Sequence, residues 1–213
     1  RFASCTIDRN SNVVAWAEHE TAGFVRAIES SGATTWFLVE RRGRSCIEVW
    51  DEAMLLDGAR RYTSIEPTTI WSGLEPYLGS RVGILGDDRF LGFFELQAGS
   101  VALSEPVAAL LVGHPYTHVI EPDTVPTLEG LAPDAIYRPV RVSLRLHATS
   151  ALKIDVGLGL HQVTLPQTPY SGDVELRALG WRRGPNVPAW RIEQDLPLPF
   201  TLLSATTDTR VNG

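Results

Sequence analysis

Leu111-Val112-Gly113-His114-Pro115-Tyr116-Thr117-His118-Val119-Ile120-Glu121 joins two blocks of strand pattern through a backbone that few sequences specify. Gly113 permits positive φ, Pro115 holds φ at about −65° and removes a donor, and a residue before proline is pushed toward extended geometry. The stretch predicts a strand that ends, turns and restarts. Tyr116 and Val119 supply the apolar body that seats the new strand, while Thr117 and Glu121 face solvent. No part of it reads as a catalytic centre.

Upstream, Val13–His19, Gly23–Ile28, Thr35–Glu40 and Cys46–Trp50 have period-2 character, separated by Thr21-Ala22-Gly23, Ser30-Ser31-Gly32 and Arg42-Gly43. They predict a propeller-like four-stranded meander over residues 1–52. A single blade cannot bury both faces alone, so its neighbours lie upstream of Arg1 or it packs on the next block. Met54–Tyr62 reads as loop with at most one helical turn, because Gly58 and then Ser64-Ile65-Glu66-Pro67 break it. Pro67–Trp71, Arg81–Leu85, Gly92–Leu96 and Val101–Leu103 follow at strand spacing, with Gly86-Asp87-Asp88 and Ala98-Gly99-Ser100 as hairpin turns. Residues 53–112 are therefore predicted as a small β-sandwich or barrel.

Downstream, Pro122–Pro139 is rich in Pro, Asp and Gly and predicts a surface excursion, with one helical turn at Thr127-Leu128-Glu129. Val140–His147 alternates cleanly, placing Val140, Val142, Leu144 and Leu146 on one face and Arg141, Ser143, Arg145 and His147 on the other. Ile154–Gly157, Leu160–Thr164, Val174–Leu179, Trp190–Glu193 and Phe200–Ser204 complete a C-terminal antiparallel β domain over 113–213. The fold class is all-β, a meander followed by antiparallel sandwich or barrel-like domains.

The totals exclude several functions. At 213 residues and 44% hydrophobic composition the chain can bury one large or two small cores, and 21% charge gives no excess that predicts disorder. No apolar run approaches the roughly 18 residues of a membrane span. A formal net charge of −6 argues against a phosphate-gripping surface. Lys153 is the one lysine among 19 cationic residues, so the cations are almost all guanidinium forks suited to carboxylates and aromatic faces. Cys5 and Cys46 lack metal-ligand spacing and read as small core residues, with a single disulfide between them left open.

One ordered series spans nearly the whole chain: Trp16, His19, Gly23, Trp36-Phe37-Leu38-Val39, Arg41, Ile47-Glu48, Pro67-Thr68-Thr69-Ile70, Ser72-Gly73-Leu74, Leu78-Gly79, Val82, Gly113, Pro115-Tyr116-Thr117, Gln194-Asp195 and Pro197 to Leu203. It resembles the tail nozzle proteins of short-tailed bacteriophages, also called tail tubular or tail hub proteins, including the packaged-DNA stabilisation proteins at the tail tip. The resemblance implies a structural virion protein located in the tail and no enzyme. It implies a homo-oligomeric ring of six subunits that continues the tail tube below the portal and adaptor, retains packaged DNA and later lets it pass. The implied partners are further copies, the tail adaptor and tail fibre or tip proteins, with DNA passing through unread. Two departures stand out: Arg1 begins well inside the family's chain, and Phe90-Leu91-Gly92-Phe93-Phe94 carries more aromatic bulk than a polar connecting strand should. An acidic wall also suits a channel that must not trap phosphates.

No residue is assigned a catalytic, cofactor-binding or metal role. His114 and His118 have zinc spacing only on a helix, which Pro115 opposes. Asp87-Asp88 after Gly86 is ordinary turn chemistry, and Glu48 with Asp51 or Glu52 makes a glycosidase pair only if a cleft sets their separation. No Gly-x-Ser-x-Gly elbow or phosphate loop occurs. The candidate subunit contacts are Arg141 and Arg145 on the polar face of their strand, and Trp181 and Trp190 beside Arg182, Arg183 and Arg191; for Trp190 a core position is the stronger expectation. The competing reading is a carbohydrate-binding or glycan-cleaving β protein of a virion or bacterial surface.

Overall fold

A computed structural model describes residues 1–10, 12–122, 136–177, 180, 182–183 and 187–212. Within them every strand pairing is antiparallel and the one helical element is a single 3-10 turn at Glu75–Tyr77, so the chain is all-β. It divides into two compact units, Arg1–Tyr116 and Thr117–Gly213. The expected helical turn at Thr127-Leu128-Glu129, and Trp181, lie outside the described residues.

The first unit opens with a hairpin of β1 (Phe2–Asp8) and β2 (Val13–His19), followed by β3 (Phe24–Ser31), β4 (Thr34–Arg41) and β5 (Arg44–Val49) in a three-stranded sheet. The meander thus has three strands and not four, because β2 takes β1 as its partner, from Phe2 opposite His19 to Asp8 opposite Val13. The turns are dictated locally. Arg42 and Gly43 both have positive φ and close a two-residue loop between Arg41 and Arg44, the backbone that matches strand twist. Asp87 and Asp88 do the same in the second sheet.

That second sheet contains β6 (Asp57–Ser72), β7 (Arg81–Gly86), β8 (Arg89–Glu95) and β9 (Ser100–His114) in the order β6-β9-β7-β8. It curls without closing into a barrel, bending where β6 and β9 lose register between Thr63 and Thr68. The loop expected at Met54–Tyr62 is largely strand: Gly58 enters it at positive φ, and Pro67 is tolerated because β6 is an edge. Val82, Ile84, Leu110 and Val112 form the core with Trp71, Leu74 and Tyr77, while Leu56, Leu85 and Leu111 pack on the opposite face.

The chain leaves the sheet where the opening stretch requires, β9 ending at His114 and β10 (His118–Ile120) starting after Pro115. Gly113, however, is not used for positive φ. It lies inside β9, where a Cβ would stand 2.7 Å from the Leu56 Cβ and 3.0 Å from the Asp57 carbonyl oxygen, so it is needed for close approach. Tyr116 and Val119 are both more than a third exposed, and Ile120 is the residue that packs on the second core.

The second unit is a β-sandwich. One sheet runs β10-β16-β12-β13, where β12 is Lys153–Asp155, β13 is Leu160–Gln162 and β16 is Arg191–Gln194. The other centres on β11 (Ile136–Thr149), flanked by β14 (Tyr170–Leu176), β15 (Arg182–Arg183) and β17 (Leu202–Asn212). The alternation of Val140–His147 does its work here: Val142, Leu144 and Leu146 face Leu152, Ile154 and Ile192, all essentially without exposure. Each such side chain contributes about 1.5–3 kcal/mol of burial.

Candidate assembly surface

An ion-pair knot fixes the three-stranded sheet to β6 within the first unit. The Arg41 guanidinium, at the end of β4, donates from Nε and Nη2 to both oxygens of Glu48 on β5, and from Nη1 and Nη2 to both oxygens of Asp57 at the start of β6. Nη2 also donates to the Thr21 hydroxyl, which with the Ala22 amide donates to Asp57. Only 13% of the Arg41 side chain is exposed. Burial pulls the guanidinium down, but the two carboxylates outweigh it and raise it further above its ordinary value. Burial likewise pushes the Asp57 carboxyl up, and Arg41, Ala22 and Thr21 together hold it below the usual carboxylate range. Gly58 is required beside this knot, since a Cβ would meet the Arg41 guanidinium carbon at 2.9 Å.

The hairpin is held to the sheet by stacked rings. Phe2 stacks on His19 at 4.8 Å and meets Phe37 at 5.0 Å, and Trp50 closes on His19 edge-to-face at 4.9 Å. Burial pushes the His19 imidazole below its ordinary value, and its Nε2 shares a hydrogen bond with the Ser4 hydroxyl at 2.8 Å.

With the knot and the rings on one side of the three-stranded sheet, the other side is left apolar and bare. Leu38 lies opposite Ile47, Trp36 opposite Val49, and Phe24 beside Glu40, so all five hydrophobic side chains share a face. Ile47 is 75% and Phe24 69% exposed. On the hairpin, Cys5 opposite Trp16 and Ile7 opposite Val14 make a second apolar face, with Trp16 72% exposed. Charged groups share these faces: Glu40, opposite Phe24, accepts from Arg26, whose guanidinium also lies 5.6 Å over the Phe24 ring, and Glu18 stands opposite Ala3 on the hairpin, while Arg1 pairs with Glu20. Cys5 is therefore a surface residue and not a core one, and both cysteines are free. The alternation of Thr35–Glu40 and Cys46–Trp50 was legible in the sequence, while the partner of β2 was not.

The predicted contact residues lie in the second unit. Arg141 and Arg145 are on the outward face of β11, where Arg141 pairs with Asp208 of β17 and Arg145 with both oxygens of Asp173 of β14. Both are therefore engaged within their own chain. Trp190 is no exposed contact aromatic: it is 4% exposed in the sandwich core, and its Nε1 donates to the Thr207 hydroxyl at 2.9 Å. An indole with a buried donor needs such a partner. Trp181 is outside the described residues.

Residues weighed for chemistry sit in structural roles. Asp87 accepts from the Ala108 and Ala109 amides, which pins the β7–β8 turn against the bend in β9. Glu48 is spent on Arg41, and Asp51 accepts from the Ala53 amide. His114 packs edge-on to Tyr77 and His118 to Phe200, each inside its own unit. Among the described residues no group of three His, Cys, Asp or Glu side chains is placed to hold a metal ion. No helix is long and apolar enough to cross a membrane. No protein-family model matches the chain, and no curated protein matches it.

Proposed function

We propose that this chain is a non-enzymatic structural subunit of a phage or phage-like tail, a nozzle or hub protein that assembles with copies of itself into a ring lining the DNA exit channel. The observation that carries the proposal is the pair of bare apolar faces in residues 1–50. A two-stranded hairpin is marginal in water by itself, and contiguous apolar patches beyond a few hundred Å² mark interaction sites. An assembly subunit needs such faces.

Two further features support this reading. The ordered likeness to tail nozzle proteins runs through both units, and the outward arginines of β11 are neutralised by Asp173 and Asp208, leaving a wall that does not grip phosphate. The all-antiparallel architecture, with short turns, suits a part that holds its shape under pressure. Retention and release of DNA are then mechanical and electrostatic, with further tail proteins above and below the ring.

Native mass spectrometry with negative-stain imaging tests the proposal. A closed ring, six-fold by the resemblance, with an axial hole of roughly 20 Å, wide enough for a duplex whose grooves measure about 12 and 6 Å, is the expected result. A protein that stays monomeric at high concentration refutes it. The bare indoles Trp16 and Trp36 favour glycan binding as the second reading, and specific retention of a saccharide on a glycan array together with a monomeric mass would move the assignment there.

A further inference from the structure

We propose that the side chains of Lys153 and Asp195 join in an amide bond, formed by the folded chain itself with no added reagent. The proposal is independent of the ring reading. Lys153 is the one lysine among 19 cationic residues. Elsewhere in the second unit arginine meets the carboxylates: Arg141 with Asp208, Arg145 with Asp173, Arg177 with Glu175, and Arg191 with Glu121 and Glu193. A guanidinium makes the same kind of ion pair, but an amine that gives up a proton is also a nucleophile.

The fold brings this pair together and holds it. Lys153 opens β12 and Asp195 directly follows β16, and the two strands pair antiparallel with Lys153 opposite Glu193 and Asp155 opposite Arg191. Ile154 and Ile192, between those residues, are fully buried in the sandwich core and fix which way each strand faces. Gln194, also buried, donates from Nε2 to the Ala151 carbonyl at 2.5 Å and accepts from the Leu196 amide, so the backbone on both sides of Asp195 is tied to the approach to β12.

In this frame Lys153 Nζ lies 2.5 Å from Asp195 Oδ2. That sets the nitrogen close to the distance of about 3–3.5 Å from the carboxyl carbon at which reacting atoms meet. The other oxygen, Asp195 Oδ1, is buried and has no hydrogen-bond partner among the described residues. A charged carboxylate oxygen left in that state is costly, and the same atom as the carbonyl of a neutral amide is less so. The orphaned oxygen and the lone amine together favour a covalent tie over an ordinary ion pair.

The step balances within the chain. The Lys153 ammonium gives a proton to the Glu193 carboxylate, which stands opposite it and is fixed by accepting from Arg191 Nε. The freed amine adds to the Asp195 carboxyl carbon, Glu193 passes that proton and then a second one from the nitrogen to Oδ2, and Oδ2 leaves as water. The Nζ–Cγ bond forms, the Cγ–Oδ2 bond breaks, and the two opposite charges vanish together. Well-oriented groups reach effective concentrations of about 10⁵ M or more, which lets an amide form against water. The product closes residues 153–195 into a covalent loop and clamps β12 to the end of β16.

Electrospray mass of the full wild-type chain in denaturant, with mapping of its digest, tests the proposal. The expected mass is that of the sequence less one water, with a branched peptide joining Lys153 to Asp195. Lys153→Arg keeps the ion pair and should return the full sequence mass, as should Asp195→Ala. In chain freshly made by cell-free synthesis, Glu193→Gln should close the bond about a hundredfold or more slowly than wild type. A wild-type chain that stays at full sequence mass after prolonged incubation overturns the proposal. So does a lost water that persists in Lys153→Arg, which would belong to an aspartate cyclised elsewhere in the chain. Closure of Glu193→Gln at the wild-type rate overturns the proton path given to that residue. None of these outcomes depends on the oligomeric mass, so this proposal and the ring reading fail separately.

Discussion

Replacing Arg41 with alanine should be the most damaging polar substitution in the first unit. The guanidinium is gripped by Glu48 at 2.6 Å and Asp57 at 2.9 Å, and the side-chain exposures of the three are 13%, 25% and 17%. Removing the cation leaves two carboxylates facing one another in a mostly buried space. Breaking a buried pair in this way costs about 3–5 kcal/mol, and the residual exposure of Glu48 places the expectation near the lower end, about 3 kcal/mol. For a unit of this size that is a fall in melting temperature of roughly 10–15 °C. Differential scanning calorimetry of the wild type and Arg41→Ala measures it directly. Arg41→Lys should recover less than half the loss, since a compact ammonium cannot donate two-pronged to both carboxylates. The triple change Arg41→Met, Glu48→Leu, Asp57→Leu should be milder than Arg41→Ala alone, because no charge is then left unpaired. If Arg41→Ala melts within 3 °C of the wild type, the knot contributes only geometry and the argument from desolvation fails.

The remaining predictions concern pH, packing and assembly. The folded Asp57 carboxyl is held below its ordinary value, so its contribution is fully present above the unfolded value and is lost as pH falls from about 4 through the lower folded value. Melting temperature against pH should therefore drop on the acid side, and Asp57→Asn should flatten that limb. Gly113→Ala should cost about 1–3 kcal/mol in chemical denaturation by forcing Leu56 and the Asp57 backbone apart. Trp190→Ala should cost about 3–5 kcal/mol, since it empties a core position and orphans Thr207. Charge reversal of Arg141 and Arg145 together should leave the native mass unchanged, because each already serves a carboxylate of its own chain; a fall in native mass would assign them to a subunit contact.

Where the fold was legible in the sequence, a local rule decided it. The two-residue turns at Arg42-Gly43 and Asp87-Asp88 need positive φ, and the residues present adopt it. Val140–His147 states its own two faces, and the structure buries Val142, Leu144 and Leu146 of the expected one, with Val140 half-buried where the register against β17 slips. Where the reading failed, the deciding partner was distant. Phe2–Asp8 carries weak alternation and acquires its strand only through Val13–His19, which removes the first strand from the meander. The first half of β6 was hidden because Gly58 and Pro67 act as breakers in isolation, yet serve an edge strand with a bulge whose second half, Pro67–Trp71, was expected. The Arg41 knot draws on positions 21, 22, 41, 48 and 57, a spacing that no periodicity reveals. Trp190, though it sits among arginines in the sequence, takes the core position that was its stronger expectation, packed with Ile192 and donating to Thr207.

The outward face of the β11 sheet shows what solvent exposure looks like when it is meant to last. On β11 and its neighbours the outward positions are Arg141, Ser143 and Arg145, met by Asp208, Thr206 and Ser204 on β17 and by Glu175 and Asp173 on β14, with opposite charges placed across the strands. Such a surface is hydrated at little cost, and its edges repel unplanned pairing. The outward face of β3–β4–β5 uses the same antiparallel geometry with Phe24, Trp36, Leu38, Ile47 and Val49. The backbone solution is shared, so the contrast lies in what each face is selected to meet. Converting Ile47, Leu38 and Trp36 to the Ser, Thr and Arg pattern of β11 should leave the strands paired and the unit folded, while abolishing the self-association proposed for this face. A unit that instead unfolds would mean that the apolar face stabilises the monomer itself, and that its partner lies within the same chain.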